Sequence, residues 1–188
     1  TLPLSIGDGE LAETADAVVS VPEIFAYWLQ GGRIDIGFLG GAQIDRFGNL
    51  NSTVIGPYAT PRVRLPGAGG APEIAASARA VHILMRHEAR AFVERLDFVT
   101  SAGHLTGGDA RAQAGLRGGG PTRVVTDLGV LEPDPVTREL TLTAVQPGVD
   151  VERVCAATAW PLRVARDIVR LARPSERELA ALRALRLK

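Results

Sequence analysis

Two glycine-punctuated stretches hold the residues with the most chemical reach. The first runs Gly40-Gly41-Ala42-Gln43-Ile44-Asp45-Arg46-Phe47-Gly48-Asn49-Leu50-Asn51-Ser52-Thr53 and offers three amides, Gln43, Asn49 and Asn51, beside one carboxylate. The second, Arg64-Leu65-Pro66-Gly67-Ala68-Gly69-Gly70-Ala71, crowds three glycines into a turn. Glycines there let backbone N–H groups approach a ligand oxygen with no Cβ in the way. A plain tight turn before a helix is the other reading of the same residues. The amides divide similarly, between facing a ligand and satisfying the backbone of their own loop.

Other chemistries lack their residues. Lys188 is the sole lysine and stands at the last position, so the body of the chain has neither a phosphate-loop lysine nor a Schiff-base lysine. His82, His87 and His104 lack metal-ligand helix spacing, and His82 falls in an apolar strand pattern that reads as a packed histidine. The single cysteine, Cys155, excludes an internal disulfide and multi-cysteine metal sites and reads as a small buried helix residue. No serine sits in a Gly-x-Ser-x-Gly elbow. Carboxylates, amides and backbone donors remain.

The elements that must position these groups alternate strand and helix. Ile34–Leu39, bounded by glycines, reads as a buried strand, so the first loop leaves its carboxyl end, the edge at which open α/β sheets bind ligands. Residues 62–65 form a further strand, 71–78 a helix with Pro72 in its first turn, and 80–85 another buried strand. This order predicts an α/β fold, a layered, mostly parallel open sheet with flanking helices. Upstream, residues up to Gly9 read as an entering loop, 10–15 as a short helix and 16–21 as a strand. Over 22–30 Ile24, Phe25, Trp28 and Leu29 share a helix face, with Tyr27 and Trp28 as core or subunit contacts.

Downstream, 90–96 fits strand or helix, and 97–101 reads as a strand end at the edge that bears the glycine loops. Residues 103–121 read as a flexible surface loop. Strands are expected over 122–127, 129–132 and 139–145, the last two joined as a hairpin through Pro133-Asp134-Pro135. Asp150 caps a helix through Ala157, and Ser175 with Glu178 forms a capping box for a peripheral docking helix over 174–188. Its stripe is Leu179, Leu182 and Leu185, with Arg183, Arg186 and Lys188 at the negative end.

A chain of 188 residues suits one domain. The 21 Lys plus Arg equal the 21 Asp plus Glu and are scattered, which removes the footprint of a nucleic-acid binder. No apolar run approaches a membrane span of about 20 residues. With no signal-peptide pattern at the start, the expectation is a soluble, cytoplasmic protein.

Taken in order, Gly40-Gly41-Ala42-Gln43-Ile44-Asp45, the Phe47-Gly48-Asn49-Leu50-Asn51-Ser52-Thr53 run, Arg64 leading into Gly67-Ala68-Gly69-Gly70-Ala71, Asp97-Phe98-Val99-Thr100-Ser101 and Val125-Thr126-Asp127-Leu128-Gly129 resemble the small (β) subunit of family I coenzyme A transferases, most closely that of the glutaconate type. The resemblance spans most of the chain. It implies a NagB/RpiA-like layered domain that is N-terminally incomplete, since the family's nucleophilic glutamate lies in a Glu-Ser-Gly or Glu-Asn-Gly turn and no Glu-x-Gly occurs here. That glutamate is expected upstream, in a segment of roughly 60 to 70 residues, and truncation is preferred to a degenerate subunit. The chain alone would be inactive.

The resemblance also assigns roles. Gly67, Gly69, Gly70 and Ala71 match the loop that meets coenzyme A and donates to the thioester oxygen, while Gln43, Asn49 and Asn51 would belong to the substrate pocket. Asp45 and Glu73 read as solvated surface carboxylates rather than nucleophiles. The implied partner is a homologous α subunit. The implied substrates are an acyl-CoA and a carboxylic acid, with coenzyme A as substrate rather than resident cofactor, and no metal. The competing expectations are a thioester or ring-opening hydrolase subunit of the same fold and a non-catalytic scaffold subunit.

Overall fold

The computed structural model describes residues 8–185. Most of the expected entering loop, and the Arg186 and Lys188 of the expected helix 174–188, lie outside the described residues. Helices α1 (Glu10–Glu13) and α2 (Val21–Glu23) come first, α2 widening into a π-helical stretch, Ile24–Leu29, before strand β1 (Ile36–Leu39). Two short antiparallel ribbons follow, β2 (Gln43–Ile44) with β3 (Leu50–Asn51) and β4 (Val54–Ile55) with β5 (Val63–Arg64). Helix α3 (Ala71–Ser77) leads to β6 (Ala80–Leu84), and α4 (Ala110–Gln113) to β7 (Pro121–Val125), β8 (Gly129–Pro133) and β9 (Leu140–Val145). Helix α5 (Val151–Ala156), strand β10 (Arg163–Arg170) and helix α6 (Glu176–Leu185) complete the described chain.

The main sheet has the order β1-β6-β7-β8-β9-β10. Pairs β1–β6, β6–β7 and β9–β10 are parallel, while β7–β8–β9 is an antiparallel meander. One row of paired side chains crosses four strands, Ile83, Val124, Leu131 and Leu142, each with no exposed surface. Burying such a side chain is worth roughly 1.5–3 kcal/mol, so this row is the centre of the core. Helix α3 lies directly on β1: a Cβ added to Gly37 would overlap the Ile74 side chain and stand 3.3 Å from that of Ala78. On the opposite face of the same strands Ile36, Phe38 and Leu84 are exposed, and His82 meets the Phe38 ring edge-on at 5.7 Å.

Several local expectations change. Residues 16–21 form no strand, and Ser20 instead caps α2 through a reciprocal box with Glu23. In the helix that follows only Leu29 is buried; Tyr27 and Trp28 are exposed, so neither is core within this chain. Ribbon β5 pairs with β4 outside the main sheet. Residues 97–101 do not end a strand but lie against the first loop, with a β-bridge from Ser101 to Leu50 and side-chain hydrogen bonds joining Asp97 with Gln43 and Thr100 with Ser52 and Thr53. Asp150 precedes α5 without a side-chain capping bond; its backbone carbonyl, not its carboxylate, accepts from the helix, at the Val154 N–H. Cys155 is half-buried. The Ser175–Glu178 box is present, yet no described residue of α6 is buried.

The segment 103–121, read as loop, holds α4 and a buried cation. Arg111 donates to the carbonyls of Ala75, Ala102, Gly103 and Gly118 and so ties the segment to the end of α3. Arg111→Ala would strand these buried acceptors and is expected to lower unfolding free energy by about 2–4 kcal/mol, whereas Arg117→Ala, at a more open position, should change it by no more than about 0.5 kcal/mol. Urea unfolding of both variants measures the difference.

Candidate active site

Parallel strands β1 and β6 deliver their following loops to one edge of the sheet. Helix α3 returns to the start of β6, so the glycine turn before it lies at that same edge. The two glycine-rich loops are tied to each other: the Gly67 N–H donates to the Ser52 carbonyl at 2.9 Å, Ser52 Oγ donates to the Gly67 carbonyl at 2.9 Å, and the Leu65 N–H donates to the Thr53 carbonyl.

The three amides are buried and engaged within the chain. Asn51 donates to Gln43 Oε1 and the Val54 carbonyl, and its Oδ1 accepts from the N–H groups of Thr53 and Val54. Gln43 donates in turn to Asp97, whose carboxylate also accepts from the Gly56 N–H. Asn49 donates to Asp45 and the Leu105 carbonyl and accepts from the N–H groups of Gly103 and Leu105. Both asparagines thus use every position an amide has. Asp45 is no solvated carboxylate: it accepts from the N–H groups of Phe47 and Asn49, and burial pushes it above the usual carboxylate range against those hydrogen bonds. Glu73 is half-buried and accepts from Gln30 and Ser77.

In the glycine turn, the Ala71 N–H is held by the Ala68 carbonyl as Gly67 is held by Ser52. Among the described residues the N–H groups of Ala68, Gly69 and Gly70 meet no acceptor. Gly69 has φ +49 and open space around it, a backbone that disfavours a side chain. Gly70 lies under Phe25, whose Cζ would be 2.6 Å from an added Cβ. The β4–β5 ribbon, the start of the first loop and the loop after β6 line an open pocket of about 450 Å³. Ala42, Ile55, Val63, Met85 and Ala91 form its apolar wall, and Arg86, Glu88 and Arg90 its polar rim. Arg90 Nε is 2.6 Å from Glu88 Oε2, while Arg86 has no carboxylate partner among the described residues. No described group of His, Cys, Asp and Glu could hold a metal ion, and no described helix is long and apolar enough to cross a membrane.

The family model for coenzyme A transferase matches residues 2–157. The chain belongs to the coenzyme A transferase family. It is 59% identical to the B-subunit of 3-oxoadipate CoA-transferase from Pseudomonas knackmussii over 184 residues, covering 98% of this chain and 71% of that protein. It is 42% identical to the B-subunit of glutaconate CoA-transferase from Acidaminococcus fermentans over 147 residues, 78% of this chain and 54% of that one. The crystal structure of glutaconate coenzyme A-transferase from the same organism superposes with a TM-score of 0.88 at 35% identity, over 97% of this chain and 71% of that chain. This coenzyme A transferase chain therefore has the fold of that enzyme and spans little more than half of the second relative.

One histidine of this family member has surroundings that its sequence spacing did not signal. His87, between Arg86 and Glu88 of the pocket rim, is buried with its ring stacked on Phe92 at 3.7 Å. Its Nε2 lies 2.9 Å from Thr158 Oγ1 and its Nδ1 3.3 Å from Thr126 Oγ1, and its backbone N–H donates to Asp127. Only the tertiary fold brings these residues together. Burial pushes His87 down to about 4, with Asp127 opposing. Below the ordinary histidine value near 6.5 the unfolded chain takes up a proton that the folded chain refuses until about pH 4. Stability should therefore fall as pH drops through that window, by about 3 kcal/mol at most, and level off below it. Urea midpoints at pH 7.5 and 4.5 should differ less in His87→Gln than in the parent.

Proposed function

We propose that this coenzyme A transferase chain is the β subunit of an enzyme that moves coenzyme A between an acyl-CoA and a carboxylic acid, paired with an α subunit, and that its acyl group is a dicarboxylic one such as 3-oxoadipyl. The observation that carries the reading is the exposed turn whose Ala68, Gly69 and Gly70 N–H groups are free, held in shape by Gly67 and Ala71. A thioester carbonyl placed over the turn would gain two or three donors as it becomes a tetrahedral oxyanion. Identity to a 3-oxoadipate transferase subunit supports the substrate class, and the B-subunit names of both relatives support the partner.

In this reading a glutamate carboxylate attacks the thioester carbon and expels coenzyme A as its thiolate, leaving an acyl-glutamyl anhydride. The thiolate then attacks the glutamyl carbonyl and releases the acyl group as a carboxylate. The acceptor acid takes coenzyme A by the reverse sequence. No residue of 1–188 stands in a Glu-x-Gly turn, so the glutamate is supplied from outside these residues. The three buried amides then shape the loops rather than touch substrate. Hydrolase and scaffold roles are not favoured, because both relatives are named as transferase subunits.

Two measurements test this. In the assembled enzyme, incubation with acyl-CoA followed by borohydride or hydroxylamine trapping should modify a glutamate outside 1–188 when read by mass spectrometry; a modified residue within 1–188 contradicts the proposal. Gly69→Val should lower kcat/KM by about 10²-fold through displaced donors, while the strain at its positive φ costs only about 1–2 kcal/mol of stability. Unchanged turnover would make the turn purely architectural.

A further inference from the structure

Building on the coenzyme A transferase reading, we propose that Arg86 grips the distal carboxylate of a dicarboxylic acyl group whose carbon chain lies in the pocket between the β4–β5 ribbon and the loop after β6. At about 450 Å³ the pocket is within the range of small-molecule sites. Its wall is hydrocarbon, from Ile55, Val63 and Met85 among others, and Val63 is half-exposed to the space it lines. Methylene groups suit such a wall, and a charged end does not.

The rim supplies what a charged end needs. Of its two arginines, Arg90 is neutralised by Glu88 at 2.6 Å, which leaves Arg86 as the uncompensated charge. A guanidinium offers a planar fork that fits a carboxylate with two parallel hydrogen bonds. The backbone at Arg86 is also anchored, because the next residue, His87, is locked between Thr126, Thr158 and Phe92. The pocket is within chain reach of the turn: Val63 precedes Gly67 by four residues, which span at most about 14 Å. An acyl chain with its thioester at the turn and its far end at Arg86 thus lies along one short ribbon.

The test compares adipyl-CoA with hexanoyl-CoA, donors of equal length that differ at the far end, using the full-length protein assembled with its α partner. The wild type should prefer adipyl-CoA, and Arg86→Gln should reduce the kcat/KM ratio of the two donors about 10- to 100-fold, with Arg86→Lys intermediate. A ratio unchanged in Arg86→Gln, or a fall shared equally by both donors as loss of a coenzyme A phosphate contact would give, overturns the assignment. Calorimetric titration of the same proteins with free adipate decides the matter independently of turnover: weaker binding to Arg86→Gln supports the role, and equal binding overturns it. Failure of the wild type to transfer coenzyme A from any donor would remove the transferase reading, while the adipate titration would still judge Arg86.

Discussion

Asn51, with no exposed surface, fixes the loop-bearing edge of the sheet by using both amide protons and both oxygen lone pairs inside the chain. Through Gln43 its influence reaches Asp97 and then Gly56, so one relay joins both ribbons to the 97–101 segment. Ribbons of two residues per strand have too few ladder bonds to stand alone. Side-chain amides make up the shortfall by acting as surrogate backbone partners. The cost of leaving any of these buried groups unpaired, about 1–3 kcal/mol, makes the arrangement all-or-none.

That rigidity bears on the chemistry proposed for the turn. Donors that stabilise a developing oxyanion help most when they need not reorganise. The turn meets this condition through bonds placed on either side of it: Gly67 fastened to Ser52, Ala71 closed onto Ala68. The residues between them are left with free N–H groups. Phe25, resting on Gly70, adds a packed floor drawn from a distant part of the chain.

Much of this was legible from residue order. Strand β1 followed from a glycine-bounded apolar run, β6 from an apolar run, helix α3 from Pro72 in its first turn and the β8–β9 hairpin from Pro133-Asp134-Pro135, and the ordered loop motifs pointed to the family. What escaped had physical causes. Strand β10 is an edge strand with a register shift between Val164 and Val169, so its half-buried Ala165 and Ile168 are three apart rather than two, and period-two alternation is absent. Asp45 looked like a surface charge because its Asn49 partner is a neighbour in a tight loop, and burial cannot be read from an isolated Asp. His87 gave no signal because its partners Thr126 and Thr158 are remote in sequence. The Ser20–Glu23 box, by contrast, had the same spacing as Ser175–Glu178 and was readable.

The mixture of pairings in the sheet also has a consequence for how the molecule assembles. Strands β7, β8 and β9 are joined by short turns, so closing each hairpin fixes little extra chain and loses little loop entropy. Pairing β1 with β6 requires the whole stretch of ribbons, glycine turn and α3 to be gathered first. The meander therefore rests on local contacts, and the edge bearing the glycine turn on contacts distant in sequence, the kind that slow folding. The edge that carries the glycine turn thus has the longest connection in the sheet to close, and loses the most chain entropy in closing it.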